Sequence, residues 1–328
     1  MPVIQQSTYK PPFFLRHRHL QTIYPALFRK LPRVHYDRVR LTTTDQDFLD
    51  LDFSRIGSKK IVLILHGLEG NASRQYVKGM VHIFNQGGYD TVSMNFRGCS
   101  GEPNLLLRFY HSGETGDLAQ VINHLISTNT YTSIYIVGFS LGGNVTLKYL
   151  GEQGGNIHPA IRAAVAISVP CDLQDSSVEL EKKHNAVYMR RFIRELGCKL
   201  QQKARRFPGM INLDNYHLIK SFRQFDDLYT APIHGFPDAL TYWARCSSKP
   251  FLENIRVPTL LINALDDPFL GKGSFPYEAA EKNACFYLET PRHGGHVGFV
   301  TFGGTFYWSE RRAFGFVHCN EQKAGSKK

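Results

Sequence analysis

The pattern of apolar positions along the chain predicts strands and helices in alternation. Continuous apolar runs are typical of strands that are covered on both faces, and the spacing of Tyr76, Met80, Val81 and Phe84 is typical of the buried face of a helix. Alternating apolar and polar residues predict a leading antiparallel hairpin. The predicted strands cover residues 34–43, 47–54, 61–67, 91–96, 134–137, 163–170, 257–264 and 284–290, and the predicted helices cover 72–85, 115–127 and 305–316, with a further helix after residue 142.

Alternating strands and helices predict the α/β class, with a mostly parallel, doubly wound sheet. Residues 171–250 interrupt this alternation: they are basic and helix-rich at first and then aromatic. Because they lie between two core strands, we interpret them as a helical cap insertion over the carboxyl ends of the strands, where such sheets bind ligands. We expect residues 1–34 to wrap the surface of a domain covering 35–316, and residues 317–328 to form a flexible tail.

Residues 133–150 carry the strongest functional signal. An apolar run is followed by the sequence Gly138-Phe139-Ser140-Leu141-Gly142, and a helical pattern follows at once. This strand, G-x-S-x-G, helix arrangement is the nucleophile elbow of α/β-hydrolases. The three residues alone are a weak signal, because a structural Gly-Ser turn has the same composition. Their position between a strand and a helix predicts that Ser140 is a catalytic nucleophile at the positive end of the helix.

A serine nucleophile needs a base and an acid later in the chain. The segment 291–302 offers His296 and His293, and we favour His296 because flanking glycines let the loop turn its ring inward. The segment 257–269 offers Asp267 and Asp266 after the preceding strand. We favour Asp267, which precedes a short Pro-Phe step, and leave Asp266 open.

An oxyanion hole requires two backbone N–H donors. The sequence predicts Leu141, which follows the nucleophile, and Leu68, which lies in the Gly-rich turn after an apolar strand. An ordinary strand-to-helix turn is the alternative at Leu68. Arg97 ends a strand at the same edge of the sheet and has two interpretations, a structural ion pair or a site for an anionic group.

Composition narrows the remaining classes of function. The chain has 39 basic and 28 acidic residues and a net charge of +11. The basic stretch 182–206 is interpreted either as a solvated helical face or as a contact with anionic lipid headgroups. No groove-reading motif accompanies the charge, so we expect no nucleic-acid partner. Metal and nucleotide motifs are also absent, so we expect no metal and no cofactor.

Scattered cysteines, no signal peptide and no apolar run of membrane-spanning length predict a soluble, cytoplasmic protein. Peripheral contact with an anionic membrane stays open, and no feature of the sequence specifies an oligomeric state.

Five motifs together resemble a known family. HGLEG, NFRGCSG, GFSLGGN, NALDDPF and GGHVGF occur in this order, and RHRHLQTIYP precedes them. They are similar to the YheT-type α/β-hydrolases of bacteria, whose eukaryotic relatives include lipid-cleaving hydrolases and yeast medium-chain acyltransferase/esterases. The resemblance implies a triad of Ser140, His296 and one of the two aspartates, acting on ester or lipid-ester substrates. The H-x-x-x-x-D acyltransferase signature is absent, because His111 and Asp117 are one residue too far apart.

We therefore expect a serine carboxylesterase that acts on a small-molecule ester or lipid with an apolar acyl group of short to medium length. An acyltransferase or a phospholipase of the same fold is the first alternative. A catalytically silent fold that binds lipid is the second.

Overall fold

The computed structural model describes residues 2–325. Within this range nine strands form one sheet, in the order β1-β9-β8-β7-β6-β4-β5-β3-β2. The strands are β1 (Val3–Ile4), β2 (Asp37–Thr42), β3 (Phe48–Ser54), β4 (Lys60–Leu65), β5 (Asp90–Asn95), β6 (Ser133–Phe139), β7 (Ile161–Ile167), β8 (Thr259–Ile262) and β9 (Phe286–Glu289). The pair β2–β3 is the expected antiparallel hairpin, and β3 also pairs antiparallel with β5. Every other pairing is parallel.

Helices connect the strands and cover both faces of the sheet. They are α1 (Arg18–Phe28), α2 (Gln75–Gln86), α3 (Thr115–Ser127), α4 (Leu141–Gln153), α5 (Leu173–Leu180), α6 (Ala186–Arg206), α7 (Phe222–Phe225), α8 (Ala231–Ile233), α9 (Ala239–Cys246), α10 (Tyr277–Lys282) and α11 (Trp308–Gly325). A π-helical turn, Asp226–Thr230, joins α7 to α8. Short 3₁₀ helices cover Phe13–Leu15, Gly154–Asn156, Lys183–Asn185, Tyr216–Leu218, Lys249–Asn254 and Lys272–Ser274.

Strand β4 shows how one apolar run serves two cores. Ile61, Leu63 and Leu65 pack in a cluster with residues of α3 and α4. Val62 and Ile64 point to the opposite face and pack with residues of α2 and α11. Successive side chains of a strand face opposite sides of a sheet, so a strand covered on both faces must be apolar throughout. The expected α/β-hydrolase fold with a mostly parallel, doubly wound sheet is confirmed.

The helices α5–α9 occupy the interval between β7 and β8, and this segment, residues 171–250, is called the insertion below. Helix α6 buries Met189, Ile193, Leu196 and Leu200. These side chains form a separate apolar cluster with other residues of the insertion and with Phe269, which follows β8. The insertion is therefore packed against the end of the sheet where β8 finishes.

The C-terminal end of the chain differs from the sequence prediction, and the N-terminal segment contains elements that the sequence did not predict. The final helix begins at Trp308 and reaches Gly325, so residues 317–325 are helical rather than a flexible tail. Val317 explains the extension because it is fully buried in the apolar cluster that contains Val62 and Ile64 of β4. The remaining tail residues, 326–328, lie outside the described residues. In the N-terminal segment, β1 pairs with β9 and α1 forms a helix, neither of which the sequence predicted.

Across residues 2–325, none of the helices combines the length and the apolar character that crossing a bilayer requires.

Candidate active site

Ser140 lies in a tight turn between β6 and α4. Its backbone has a φ of 51° and a ψ of −119°, a strained conformation for a residue with a side chain. A Cβ added to Gly138 would lie 2.5 Å from the Gly142 carbonyl oxygen, and one added to Gly142 would lie 2.5 Å from the His66 carbonyl oxygen. Glycine at both positions therefore lets the strand and the helix approach closely enough to hold Ser140 at the N-terminus of α4.

His296 and Asp267 meet Ser140 at this edge of the sheet. The Nε2 atom of His296 is 3.0 Å from the Oγ atom of Ser140. Its Nδ1 atom is 2.9 Å from Oδ2 and 3.1 Å from Oδ1 of Asp267. Asp267 follows β8 and His296 follows β9, and carboxyl ends of parallel strands lie at one edge. The three favoured side chains thus form one continuous hydrogen-bonded chain.

The two neighbouring aspartates contact different histidines. The Asp267 side chain is fully buried and also accepts a hydrogen bond from the backbone N–H of Phe269. Asp266 instead lies 3.2 Å from Nδ1 of His293 and accepts a hydrogen bond from the backbone N–H of Gly295. Burial raises the pKa of Asp266 above its ordinary value. Asp266 and His293 therefore form a second pair that braces the loop carrying His296.

The loop carrying His296 is held from two sides. The backbone N–H of His296 donates to Oγ1 of Thr22, which belongs to α1, and the N–H of Val297 donates to Oγ of Ser168. The Phe269 ring lies against the imidazole with centroids 4.2 Å apart. Sequence reasoning missed Thr22 and Phe269 as supports of the histidine, although both lie inside motifs quoted above.

Leu141 directly follows Ser140, and Leu68 lines the same cavity as both of them. A Cβ added to Gly67 would lie 3.1 Å from Cβ of Ser140, so the turn that carries Leu68 touches the serine. Within residues 2–325, neither N–H is a donor in the backbone–backbone hydrogen bonds of the turns and loops. Backbone N–H donors beside a serine hydroxyl are what an oxyanion hole requires.

His66 supports this turn. Its Nδ1–H donates to the Gly67 carbonyl oxygen at 2.7 Å, and its Nε2 atom accepts from the backbone N–H of Phe96. Burial lowers the pKa of His66 to about 3, so the ring is neutral at physiological pH. Both ring nitrogens are therefore occupied, and His66 is a structural residue here.

A largely apolar cavity opens beside Ser140 and His296. Leu68, Leu141 and Phe269 line it, and the insertion supplies most of the remaining lining residues. The aromatic residues that the insertion contributes are Phe192, Phe222, Phe225, Tyr242 and Trp243. An apolar, mostly pre-formed cavity beside a nucleophile is suited to an apolar substrate group.

Ser177 and Asp226 are among the polar side chains of the insertion that line the same cavity, and sequence reasoning missed both. Ser177 is buried, and its hydroxyl has no hydrogen-bond partner within residues 2–325. Asp226 accepts a hydrogen bond from Nε1 of Trp243, and burial raises the pKa of its carboxyl to about 7. An acidic residue within the aromatic stretch 222–243 was the only signal for this position.

The raised pKa of Asp226 predicts a pH-dependent contribution to stability. The folded protein keeps the carboxyl protonated up to about pH 7, whereas the unfolded chain releases the proton near its ordinary pKa of 3.8. Unfolding between these values releases a proton, so the free energy of unfolding should fall as pH rises, by up to about 4 kcal/mol. Asp226→Asn should remove this fall, so that the variant gains stability relative to the native protein at pH 8 but not at pH 4. Urea unfolding at several pH values measures the difference, and a constant difference would contradict the prediction.

Arg97 is a structural residue. Its side chain is 1% exposed and donates to both carboxylate oxygens of Asp117, at 2.8 and 2.6 Å, and to Asp47 at 3.1 Å. A guanidinium that is surrounded by carboxylates has no free face for a substrate anion. The ion-pair interpretation therefore describes Arg97, and the anion-site interpretation does not.

The basic stretch 182–206 divides into two groups. Lys199 lies 2.8 Å from Oε1 of Glu69, next to Leu68, and Lys203 donates to the Asn104 carbonyl oxygen. These two buried lysines attach α6 to the domain. The other group consists of exposed cations, which include Arg190, Arg194 and Arg205. For these residues both interpretations stay open, a solvated helical face and a contact with anionic lipid headgroups. Residues 2–325 contain no group of three or more His, Cys, Asp or Glu side chains placed to hold a metal ion.

The sheet carries a serine on the turn after β6 and a histidine after its last strand, β9. This combination defines a class of protein. The chain belongs to the α/β-hydrolase fold family, whose family model matches residues 60–302. It is 38% identical over 304 residues to "Putative esterase YheT" of Escherichia coli (strain K12), which covers 90% of this chain and 88% of that protein. The expected membership among YheT-type α/β-hydrolases is confirmed.

Two further proteins show how widely this architecture is shared. Phospholipase ABHD3 of Homo sapiens is 28% identical over 309 residues, which cover 91% of this chain and 75% of that protein. The structure of the Pyrococcus furiosus esterase Pf2001 superposes with a TM-score of 0.59 at 19% identity, covering 87% of this chain and 92% of that one. The relatives support a hydrolase, and the solved structure shows a shared fold.

Proposed function

We propose that this protein is a serine carboxylesterase in which Ser140, His296 and Asp267 act as a catalytic triad. The observation that carries the proposal is the continuous chain of contacts from Oγ of Ser140 through both imidazole nitrogens to the buried carboxylate of Asp267. Serine is a weak nucleophile unless a base removes its proton. Here the base is in hydrogen-bond contact, and the carboxylate fixes its tautomer.

The reaction has two halves. Oγ of Ser140 attacks the ester carbonyl carbon while its proton passes to Nε2 of His296, and the N–H groups of Leu68 and Leu141 stabilise the oxyanion. The carbon–oxygen bond to the alcohol then breaks, and the alcohol leaves with the proton from His296. Water attacks the acyl-enzyme, gives one proton to His296 and releases the carboxylic acid as Ser140 regains its proton.

The cavity supports an apolar acyl group of short to medium length. Its wall is mostly aromatic and aliphatic, and no charged basic side chain lines it within the described residues. The names of two relatives, a putative esterase and a phospholipase, support ester chemistry. The phospholipase name also makes cleavage of a phospholipid ester the second candidate.

A panel of p-nitrophenyl esters of rising acyl length tests the proposal. We expect turnover to be highest for short or medium acyl chains and to disappear after treatment with a fluorophosphonate, which should modify Ser140. Hydrolysis of phosphatidylcholine in preference to every ester of the panel would favour the phospholipase. Ester products formed only when an alcohol is added would favour an acyltransferase, and no turnover and no labelling would favour a silent lipid-binding fold.

A further inference from the structure

Helix α1 carries its apolar side chains on the outside. Gln21 and Pro25 are buried, whereas Leu20, Ile23 and Leu27 are exposed. The three exposed residues follow the spacing i, i+3, i+7 and therefore share one face of the helix. A helix on the surface of a globular protein normally turns such a face inward. Leu27 is 69% exposed, so this face has no cover within the described part of the chain.

Aromatic rings extend this apolar face across two other segments. Phe13 contacts Phe14 with ring centroids 5.2 Å apart, and Phe14 stacks on Phe302 at 5.6 Å. The Tyr24 ring contacts both Phe302 and Phe28, with ring centroids 5.9 and 5.2 Å apart respectively. The exposed members of this continuous surface, called the α1 patch below, are Phe13, Phe14, Leu20, Ile23, Leu27, Phe28 and Phe302. Contiguous exposed apolar surface of this kind marks an interaction site.

The charges of the segment that carries most of the α1 patch have one sign. Residues 1–36 contain no aspartate and no glutamate, and Lys10, Arg16, Lys30 and Arg33 are exposed cations of this segment. Glu310, the carboxylate that approaches α1 from the final helix, is buried and paired with Arg29 at 2.5 Å. The apolar rings are therefore flanked by free positive charge without a compensating negative charge on their own segment.

We propose that the α1 patch docks this protein on the surface of an anionic lipid bilayer. Apolar and aromatic side chains enter the boundary between headgroups and acyl chains, and flanking lysine and arginine side chains face the headgroups. A second copy of this chain fits the patch less well, because a symmetric contact would bring the same cations together. Binding to the bilayer does not depend on the proposed esterase activity.

The location of the α1 patch connects it to the candidate active site. Thr22, on the same helix, accepts the hydrogen bond from the backbone N–H of His296. His19, also on α1, stacks on Tyr188 of the insertion, and the Tyr188 ring contacts Phe269. A helix seated on a bilayer would thus hold the reactive edge of the sheet close to the lipid surface.

Flotation of the full chain with lipid vesicles tests this proposal. The vesicles are made of phosphatidylcholine alone or of phosphatidylcholine with about one third phosphatidylglycerol. We expect the native protein to float with the anionic vesicles and the variant Leu27→Ser/Phe28→Ser to bind at least about tenfold more weakly. Arg16→Gln/Lys30→Gln should weaken binding to anionic vesicles by roughly fivefold per charge, without changing binding to phosphatidylcholine.

A matched control is Ile56→Ser/Leu105→Ser, which replaces two exposed apolar residues outside the patch. This variant should bind as the native protein does, and all variants should hydrolyse a soluble p-nitrophenyl ester at the native rate. Failure of the native protein to float, or native binding by the Leu27→Ser/Phe28→Ser variant, would overturn the proposal. The proposal would also be overturned if the native protein were a dimer, if Leu27→Ser/Phe28→Ser converted it to a monomer, and if neither form bound vesicles. Vesicle binding without any ester hydrolysis would overturn the proposed function alone.

Discussion

The Ser140→Ala protein is expected to hydrolyse p-nitrophenyl butyrate with a kcat about 10⁶-fold below that of the native protein. Alanine removes the hydroxyl that lies 3.0 Å from Nε2 of His296, and with it the acyl-enzyme route. It keeps a Cβ at the strained φ of 51°, so the turn itself should persist. Steady-state kinetics and labelling with a fluorophosphonate measure the effect.

Ser177→Ala is the matched control for this substitution. Ser177 lines the same cavity and is buried, but its hydroxyl contacts no partner within residues 2–325. Its loss should change kcat by less than about tenfold, because it touches no atom of the triad. Equal losses for the two alanine variants, or full labelling of Ser140→Ala, would show that another residue is the nucleophile.

Asp267→Asn should lower kcat by about 10⁴-fold, whereas Asp266→Asn should lower it by less than about tenfold. Both Asp267 oxygens lie within 3.1 Å of Nδ1 of His296. An asparagine amide at this position can present an N–H to Nδ1, which favours the tautomer that carries its proton on Nε2. Such an imidazole cannot accept the proton of Ser140. Asp266 contacts His293 instead, and its loss weakens only the support of the loop.

The two asparagine variants also serve as controls for each other. They carry the same chemical change at adjacent positions. Thermal unfolding of both variants therefore separates a loss of catalysis from a loss of fold. If Asp266→Asn had the larger effect on kcat with an unchanged melting temperature, the acid of the triad would be Asp266.

The main elements of the sheet were predictable because burial on both faces leaves a simple pattern. Strands such as β4 must be apolar throughout, and the glycines around Ser140 are required by backbone contacts as short as 2.5 Å. Helix α3 was predicted with the same bounds that the structure shows. Strand β1 was missed because two residues carry no periodicity, and pairing with β9 creates the strand.

Other features depend on contacts that the order of residues does not specify. Asp266 and Asp267 follow the same strand, and only the direction of each side chain determines which histidine it meets. Asp226 lines the cavity because a π-helical turn places it there, next to Trp243. The exposed apolar face of α1 could not be recognised either, because the spacing of its residues is the same as that of a buried face.

The hydrogen bond between Thr22 and His296 spans most of the chain, and it has a practical consequence for protein engineering. A protein trimmed to residues 60–302, the part that carries the family signature, would keep all three polar side chains of the candidate triad. It would lose the hydroxyl that anchors the imidazole loop, the outer hairpin and the helix that seals one face of the sheet. An active form should therefore need α1, the β2–β3 hairpin and α11 in addition to residues 60–302.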